Sequence, residues 1–517
     1  MFVVSGFALG PGNYTGASSF PLPATLAGTS IQITAGTTKL SAIMIYTLSY
    51  QVAAILPSST PVGPANLTLT FNNQTSNFVS FQVVPSAFGA FTRNSGGSGP
   101  GIIQNFVSAM DQALNTVVKT AQPGGTAIIW GTGLGPVTGN EAAGPLPGDM
   151  TNLNVKVFVG GQLAQVTYRG RSGCCVGIDE VGFIVPSGVE GCYVPVAIQV
   201  NGVLGNFTSI AIASKGNTCS DTNGLQAGDL QRIAAGGSSK LAWVQLLRLN
   251  FQLDTGMMGS VQGTADFAWG DFFRWDSNTL SDALGFNSLF GTTLGTCNIT
   301  TAAGAGFSLA RQSGARLNIG PALHLQGPSG AAQLVADSTG MYTARKALGV
   351  TMDPPILGPN IPLFLTPGTY TIDNVAGGPD VAPFQAALSI PGKPVSLNWT
   401  NLGTIQTIDR SKDLNITWTG GDPKSEYVVI GGMVALSSIL NGEVSAFFAC
   451  SERVEAGHFV IPSVILSALP ASSTDPLSAL LLVGRVSLPA GAKFSGGGID
   501  AGYFLYGELT GKNATYQ

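Results

Sequence analysis

The chain has 517 residues, too many for one ordinary domain, and only 10% of them are charged, against about 25% in typical soluble proteins. A net charge of -4 without any Lys/Arg cluster argues against binding to nucleic acids or to anionic membrane surfaces. No apolar run reaches the roughly 18 residues needed to cross a bilayer, and 44% hydrophobic residues with 70 glycines favour β-rich domains with glycine turns over disorder.

In chain order, the first feature is an internal repeat. The matched segments are GFALGP (6–11) with GTGLGP (131–136), PLP (21–23) with PLP (145–147), IQITAGTTK (31–39) with VKVFVGGQ (155–162), AIMIYT (42–47) with AQVTYR (164–169), QVAAILPS (51–58) with EVGFIVPS (180–187), and Asn77-Phe78 with Asn206-Phe207. The offset is 122 residues at Tyr46/Tyr168 and 129 at Val52/Val181. The second copy therefore carries seven extra residues, and this insertion holds Cys174 and Cys175.

Each copy alternates apolar and polar residues in short runs separated by Gly, Pro, Asn and Ser, which is typical of β-strands and turns. About seven such strands fit an immunoglobulin-like (Ig-like) sandwich, although the Cys…Trp…Cys signature of antibody domains is absent. We therefore predict Ig-like modules over 1–88 and 126–215. Residues 89–125 are predicted to connect them, with IIQNFVSAMDQALNTVV forming a hairpin or a short helix.

The glycine turn of the repeat could suggest a dinucleotide-binding loop. That hypothesis fails because Pro136 occupies the last fingerprint position and a loop, not a helix, follows. We instead predict a structural corner, with buried leucines at 9 and 134, prolines that end strand pairing, and glycines in backbone conformations that disfavour a Cβ. The corner residues are Gly6, Gly10 and Pro11 in the first copy and Gly131, Gly135 and Pro136 in the second. Since Ala8 stands where the second copy has Gly133, Gly133→Ala should fold well and Gly135→Val should cost stability.

WGTGLGPV and VFVGGQLAQVTYRGRSGCCVGIDEVGFIVPSGVEGCYVPVAIQVNG resemble a known family. It is the repeated Ig-like module of secreted acidobacterial proteins, catalogued as the Solibacter uncharacterised C-terminal domain and similar to IPT/TIG-type folds. The resemblance covers roughly residues 1–215. It implies an Ig-like fold and export, and it supplies no catalytic residues. Because the first copy starts almost at the glycine turn and shows no signal peptide, we expect the native N-terminus to lie upstream.

The remainder divides by composition. Residues 216–239 predict a linker, 240–392 a β-sandwich domain, and 395–517 a C-terminal Ig-like β-sandwich. The predicted fold class is thus all-β, with tandem Ig-like sandwiches followed by one or two further β-sandwich or jelly-roll-like domains.

Cysteine usage indicates an oxidising compartment. Adjacent cysteines seldom bond each other, so we predict that Cys174 and Cys175 each pair with one of Cys192 and Cys219. A zinc site, which would lack a nearby His and CxxC spacing, and free thiols are the alternatives. Cys297 and Cys450 lie in different predicted domains, and the sequence leaves open whether they bridge these domains or stay buried and free.

The segment ADFAWGDFFRWDS interleaves acids with aromatics, namely Asp266, Trp269, Asp271, Trp275 and Asp276. We favour sandwich core and turn for it. The alternatives are a sugar-binding face, with tryptophans stacked on pyranose rings and acids on hydroxyls or calcium, and a glycosidase carboxylate pair. His324 and His458 read as strand residues, and no GxSxG or HExxH motif is present.

These observations favour a secreted or cell-surface protein with a structural, adhesive or matrix role and without catalysis, cofactor or metal. Its expected partners are an extracellular polysaccharide or another surface protein, and self-association is possible. A carbohydrate-binding protein that uses residues 266–276 is the second hypothesis. An unrecognised polysaccharide hydrolase is the third.

Overall fold

A computed structural model describes residues 1–256, 259–276, 290–301, 315–344, 347–355, 358–392, 396–435 and 444–517. In these ranges the chain is all-β, as predicted from the sequence, with two short α-helices. Three units follow one another: the first module (1–88), the second module (89–215) and the C-terminal unit (216–517).

The first module is a sandwich of two sheets. Its strands are β1 (Phe2–Ser5), β2 (Thr15–Gly16), β3 (Thr25–Leu26), β4 (Thr29–Ala35), β5 (Thr38–Ser41), β6 (Ile43–Leu48), β7 (Gln51–Ile55), β8 (Gly63–Phe71), β9 (Gln74–Thr75) and β10 (Val79–Val83). One sheet has the order β1-β7-β6-β2 and the other β10-β8-β4-β3, with β5 on β4 and β9 on β8. The apolar alternation seen in the sequence faces the core, since Ile31 and Ile33 are buried while Gln32 between them is exposed.

The second module repeats this topology. Its strands are β11 (Gly89–Ala90), β12 (Gly99–Pro100), β13 (Ile103–Ser108), β14 (Asp111–Leu114), β15 (Thr126–Thr132), β16 (Gly148–Asp149), β17 (Val155–Val159), β18 (Gln162–Ala164), β19 (Val166–Arg171), β20 (Asp179–Ile184), β21 (Gly191–Val200), β22 (Val203–Leu204) and β23 (Thr208–Ile212). The order β15-β20-β19-β16 corresponds to β1-β7-β6-β2, and β23-β21-β17-β18 corresponds to β10-β8-β4-β5. The register shift between Met44 and Tyr46 recurs between Val166 and Tyr168. The repeat found in the sequence is therefore a structural repeat down to its β-bulge.

The prediction that residues 89–125 merely connect the modules is wrong. Of the two conformations considered, the hairpin is present, as β13 and β14. β13 and β11 pair with β15 in one sheet, while β12 pairs with β23 in the other. Ile103 is fully buried in the core of the second module. This segment belongs to the second sandwich because its strands pair with an edge strand of each sheet and its Ile103 packs in the core.

The predicted linker 216–239 is also ordered and packed. It contains Cys219 in a disulfide and helix α1 (Ala227–Gly236), whose Leu230 and Ile233 lie in the core of the C-terminal unit. Asp229 of α1 accepts a hydrogen bond from Lys493 Nζ at 2.6 Å. Glycine-rich composition suggested flexibility, but apolar residues at helical spacing anchor the segment.

The C-terminal unit contains the remaining elements. They are β24 (Ser238–Asp254), β25 (Ser260–Asp276), β26 (Thr296–Thr301), β27 (Ala315–Arg316), β28 (Leu323–Gly327), β29 (Gly330–Ala336), β30 (Tyr342–Thr343), β31 (Gly349–Asp353), β32 (Gly368–Asp373), β33 (Gln385–Ile390), β34 (Asn398–Trp399), β35 (Thr407–Ile408), β36 (Leu414–Thr419), β37 (Glu426–Ala435), β38 (Val444–Arg453), β39 (His458–Ile461), α2 (Ser463–Leu466), β40 (Ala479–Ser487), β41 (Lys493–Gly496), β42 (Ile499–Asn513) and β43 (Thr515–Tyr516).

One large sheet crosses the predicted boundary at 392–395. Its main path is β26-β38-β37-β40-β42-β24-β25-β30-β29-β28-β32-β33. The long strand β24 pairs antiparallel with β25 and parallel with β42, and it thereby joins the two segments that the sequence suggested were separate domains. Two smaller sheets, β34-β36-β39 and β35-β43, complete the unit.

The repeated glycine corner differs from the prediction in detail. Leu9 and Leu134 are buried as expected, and Gly135 has φ +151°. Gly131, however, does not have a positive φ, and neither do Gly6 and Gly10 in the first module. A Cβ on Gly131 would lie 2.4 Å from the Gly89 carbonyl oxygen, so close packing is what requires glycine there.

The expectation that Gly133→Ala folds well is overturned by the close packing around Gly133. Gly133 has φ +98°, and a Cβ there would lie 2.3 Å from the carbonyl oxygen of Ala87. Ala8 tolerates φ +55° in the first module, whereas the backbone of Ala87 packs directly on the corner of the second module, with its amide donating to the Gly133 carbonyl oxygen at 2.9 Å. We now expect Gly133→Ala to lower the free energy of unfolding by about 2 kcal/mol.

Urea unfolding of Gly133→Ala beside the matched variant Ala8→Gly checks this expectation. Ala8→Gly should change stability by less than about 1 kcal/mol, because relief of the positive φ opposes the greater entropy of the unfolded chain. Equal losses for the two variants would contradict the steric explanation.

Candidate binding groove of the first module

The segment 266–276 does not form a sugar-binding face. Its strand, β25, is covered on both sides, so that Trp269 is 7% exposed and Trp275 is fully buried. Trp269 packs near Phe290, with ring centroids 6.1 Å apart, and Trp275 packs edge-on against Phe273 at 5.6 Å. The aromatic residues match the predicted core, whereas Asp266 and Asp271 lie within β25 and not in the turn predicted for the polar residues.

The acids of that segment are tied to arginines. Asp266, with no solvent exposure, accepts hydrogen bonds from Arg248 Nε at 2.8 Å and Nη2 at 2.9 Å, and from the Leu365 amide at 2.8 Å. Asp271 is buried and forms an ion pair with Arg316. Asp276 ends β25 opposite Ser238, and its side chain lies outside the described residues. Neither buried carboxylate is open to a polysaccharide.

Asp266 is one end of a row of alternating charges. Arg248 lies opposite both Asp266 and Glu508, and Arg485 lies opposite Glu508 on the next strand. Arg485 Nη2 donates to Glu508 Oε2 at 2.9 Å, and its Nη1 is paired with Glu426. Burial raises the pKa of Glu426. Hydrogen bonding to Asp266 raises the pKa of the Arg248 guanidinium. The row spans five strands, from β25 to β37, and holds the middle of the sheet together.

The cysteines pair differently from the prediction. Cys174 bonds its neighbour Cys175, and Cys192 bonds Cys219. The insertion with Cys174 and Cys175 faces the first module, where Gly177 lies against Ile55, whereas Cys192 faces the C-terminal unit. The Cys174–Cys175 bond therefore lies on the side of the first module, and the Cys192–Cys219 bond lies on the side of the C-terminal unit.

Cys297 and Cys450, which the sequence left open, bond each other across β26 and β38. Within the described ranges no cysteine is free, so thiolate zinc ligation has no candidates there. The same ranges contain no group of three or more His, Cys, Asp or Glu side chains arranged to hold a metal ion. Among the described helices, none has the length and apolar character to span a bilayer.

A groove of about 570 Å³ opens along one side of the first module, where the edge strands β1 and β10 lie near each other. We call it the open groove. Its lining is largely apolar, and four of its valines are substantially exposed: Val3 (49%), Val62 (64%), Val79 (53%) and Val84 (44%). Arg171 of the second module also lines the groove, with its guanidinium bound to Asp179 and to the Gly135 carbonyl oxygen. Clustered exposed apolar side chains of this kind mark interaction surfaces.

The second module shows the same place filled. There Ile103 and Ala121, from the segment 89–125, pack into the core beside β15 and β23. The residues of β23 are all buried, whereas in β10 only Val83 is buried. Phe207 is likewise buried, and its counterpart Phe78 is 64% exposed. The open groove is thus the position that residues 89–125 occupy in the second copy.

Polar contacts hold this filling segment on β23. Asn115 Nδ2 donates to the Ala211 carbonyl oxygen at 2.9 Å and its Oδ1 accepts from the Ala211 amide at 2.8 Å. The Asn206 side chain likewise exchanges hydrogen bonds with the Ala90 backbone. In the first module the counterpart Asn77 donates locally, to the Phe78 carbonyl oxygen. The sequence analysis did not predict the groove. The signal for it is that residues 89–125 match no segment of the first copy.

Asp221, which the sequence analysis did not single out, lies where the second module meets the C-terminal unit. Its carboxylate accepts from the Cys192 amide at 3.2 Å and from the Thr293 hydroxyl at 3.1 Å. Burial raises the pKa of Asp221 from 3.8 to about 6, despite those two hydrogen bonds. The raised pKa stabilises the fold fully below the unfolded value of 3.8, and this contribution is lost as pH rises through about 6.

We therefore expect the free energy of unfolding to fall by about 1 kcal/mol between pH 5 and pH 7 because of Asp221. Asp221→Asn, which keeps an oxygen acceptor but does not titrate, should remove that part of the slope. Urea unfolding of both proteins at the two pH values measures it. An unchanged slope in Asp221→Asn would show that other groups cause the pH dependence.

No protein-family model and no curated protein matches the chain. One similar solved structure is the Bacteroides ovatus mixed-linkage glucan utilization locus SGBP-B in complex with a mixed-linkage heptasaccharide, at 8% identity and TM-score 0.13, covering 84% of this chain and 87% of that one. Others are Sidekick-1 immunoglobulin domains 1–5 (9% identity, TM-score 0.12, 100% and 99% covered) and surface layer protein SbsC, domains 4–9 (10%, 0.14, 92% and 72%). Because these TM-scores are low, the description of this chain as an all-β protein with Ig-like modules relies on its own strands.

Proposed function

We propose that this chain is a secreted or cell-surface protein with an adhesive or matrix role, and that the open groove is the surface through which it contacts a partner. The proposal includes membership of residues 1–215 in the secreted Ig-like module family that they resemble. The role needs no catalytic residue, cofactor or metal.

The open groove is the observation that carries the proposal. Val3, Val62 and Val79 expose apolar surface to solvent on a module whose second copy buries the corresponding edges. Exposed valines that cluster around one groove fit a binding surface.

The pairing of all the described cysteines supports an extracellular location, because disulfides persist in oxidising compartments. Direct hydrogen bonds between units support a structural role. The Ser58 amide of the first module donates to Glu141 of the second at 2.8 Å, and the Cys192 amide of the second module donates to Asp221 of the C-terminal unit at 3.2 Å.

Two measurements test the proposal. Labelling of intact source cells or their medium with a membrane-impermeant biotin reagent should capture the protein without lysis. Beads that carry the protein should adhere to those cells, and beads that carry Val79→Lys/Val84→Lys should not. Val203→Lys is the matched control, since Val203 is similarly exposed (48%) but lies in the second module. Labelling only after lysis, or equal adhesion by all three proteins, would refute the proposed role.

A further inference from the structure

We propose that the Cys174–Cys175 disulfide is a thiol–disulfide exchange site, which an external dithiol reduces while the other two disulfides stay intact, and that its reduction loosens the contact between the first and second modules. The site is separate from the open groove and goes beyond the proposed function. Access to the bond, its position in the sequence and its place between the modules each support this role.

Access distinguishes this bond from the other two disulfides. Cys174 is exposed and Cys175 is half-buried. The other four cysteines are buried, at most 5% exposed, namely Cys192, Cys219, Cys297 and Cys450. Because exchange begins with attack of a thiolate on a disulfide sulfur, a dissolved dithiol reaches the Cys174–Cys175 bond first.

Loop length distinguishes the bond as well. Its two cysteines are adjacent in the sequence, whereas the other disulfides join residues 27 and 153 positions apart. In the chain-entropy account, the stabilisation that accompanies a disulfide grows with the length of the loop that it closes. The fold therefore favours the Cys174–Cys175 bond least, and a dithiol reduces it under the mildest conditions.

The exchange balances with the dithiol as reductant. One thiolate of the dithiol attacks the sulfur of Cys174, the more exposed cysteine, and Cys175 leaves as a thiolate. The second thiol of the reductant then attacks the reductant's own sulfur in the mixed disulfide and releases Cys174. Each cysteine takes up a proton, two electrons move to the protein, and the dithiol becomes a disulfide. A small-molecule disulfide such as oxidised glutathione reverses the reaction.

The two cysteines lie in a tight loop, residues 172–178, which we call the cysteine loop. Ser172 Oγ accepts from the Cys174 amide at 3.1 Å and donates to Cys174 Sγ at 3.2 Å. On either side of the loop, Arg171 and Asp179 form a buried ion pair that fixes its base. When the bond breaks, the two sulfurs must separate from bonding to van der Waals distance. Because the base is fixed, the loop takes up this movement.

The cysteine loop rests on the first module. In β7, Ala54 packs in the core of that module, so the next residue, Ile55, points to the other side of the strand. There Gly177 lies so close that a Cβ on it would be 2.8 Å from Ile55 Cγ1, and Ile55 is 2% exposed. Movement of the loop must therefore disturb the contact of Gly177 with Ile55, which is part of the junction between the modules.

Selective reduction is measured on the full chain. The protein is equilibrated with dithiothreitol at increasing ratios of the reduced to the oxidised form, free thiols are blocked with N-ethylmaleimide, and the peptides are identified by mass spectrometry. We expect half-reduction of Cys174 and Cys175 at a ratio at least about tenfold lower than the other four cysteines require. Reduction of all three disulfides at the same ratio, or a native protein in which Cys174 is not bonded to Cys175, would overturn the inference.

Hydrogen exchange of the selectively reduced protein tests the consequence. The Ser58 amide donates to Glu141 across the same junction, so it is protected while the two modules stay docked. We expect exchange at Ser58 and at residues 172–178 to become at least about threefold faster after reduction. Amides of β21, in the other sheet of the second module, are the internal control and should not change. Selective reduction without faster exchange at Ser58 would overturn the link to the first module.

Two variants separate the bond from the contact. Cys174→Ser/Cys175→Ser should show the faster exchange at Ser58 with or without dithiothreitol. Gly177→Ala, which keeps the disulfide but pushes the loop away from Ile55, should show it without reductant. A response of the double serine variant to dithiothreitol would mean that another disulfide controls the junction, and unchanged exchange in Gly177→Ala would mean that the loop does not transmit the change.

Discussion

Replacing Cys297 and Cys450 together by alanine is expected to destabilise the C-terminal unit more than any other change considered. The disulfide joins residues 153 positions apart, and a loop of that length corresponds to about 5 kcal/mol of unfolded-state entropy in the chain-entropy account. Both sulfurs are buried, on strands that lie opposite each other in the register. Urea unfolding under non-reducing conditions, followed by intrinsic fluorescence, measures the loss.

The Cys192–Cys219 bridge is the matched control. It joins residues 27 positions apart, so its replacement by alanines should cost less, about 3.5 kcal/mol. It also fastens the second module to the segment before α1, so its loss should loosen a junction rather than a sheet. If removal of the longer-range bridge cost no more than removal of the shorter one, loop closure would not be the dominant effect of these disulfides.

Arg485→Met should lower the free energy of unfolding by about 3 kcal/mol, because removal of the buried guanidinium leaves two partly buried carboxylates without their main partner. Arg485 is 2% exposed, and its guanidinium bridges Glu426 and Glu508. Methionine keeps most of the volume of the arginine side chain, so the loss reports the charge. Chemical unfolding measures it.

A rescue variant separates charge from packing in this experiment. Arg485→Met combined with Glu426→Gln and Glu508→Gln should recover more than half of the lost stability, because the uncompensated carboxylates are then gone. Lys412→Met is the control at an exposed ion pair with Asp409 and should leave the unfolding curve unchanged. No recovery in the triple variant would mean that packing, rather than charge, explains the effect.

Local patterns predicted the strands and the repeat, but not which strands share a sheet. The alternation in β4 identifies a strand with one buried face, whereas the pairing of β24 with β42 joins residues about 260 positions apart. Nothing local encodes that pairing, so the C-terminal unit was divided at a loop. The prediction of a linker over the Gly- and Ser-rich segment 216–239 is wrong for a related reason. Leu230 and Ile233 pack against strands that come later in the chain.

The acidic and aromatic segment shows what one-dimensional patterns leave ambiguous. Trp269 and Trp275 lie in a strand that is covered on both faces, and such strands lose the apolar/polar alternation. An interleaved run of acids and aromatics then looks the same for a ligand platform and for a core with internal ion pairs. Only the positions of Arg248 and Arg316 on neighbouring strands distinguish the two.

The groove could not be predicted from the sequence, because it becomes apparent only when the structures of the two modules are compared. In sequence, Val79 and Phe81 look like ordinary core residues of a strand. Their exposure follows from the fact that β10 and β1 are edge strands whose counterparts in the second module are covered.

The parallel pairing of β24 with β42 has a mechanical consequence. The two strands run side by side from Leu241↔Ala501 to Gln252↔Lys512, near the start and the end of the C-terminal unit. When the chain is pulled from its two ends, the strands are drawn in opposite directions along their length. The backbone hydrogen bonds between them are then loaded together in shear and cannot open one at a time. The C-terminal unit should therefore resist tension as a clamp and unfold only at high force.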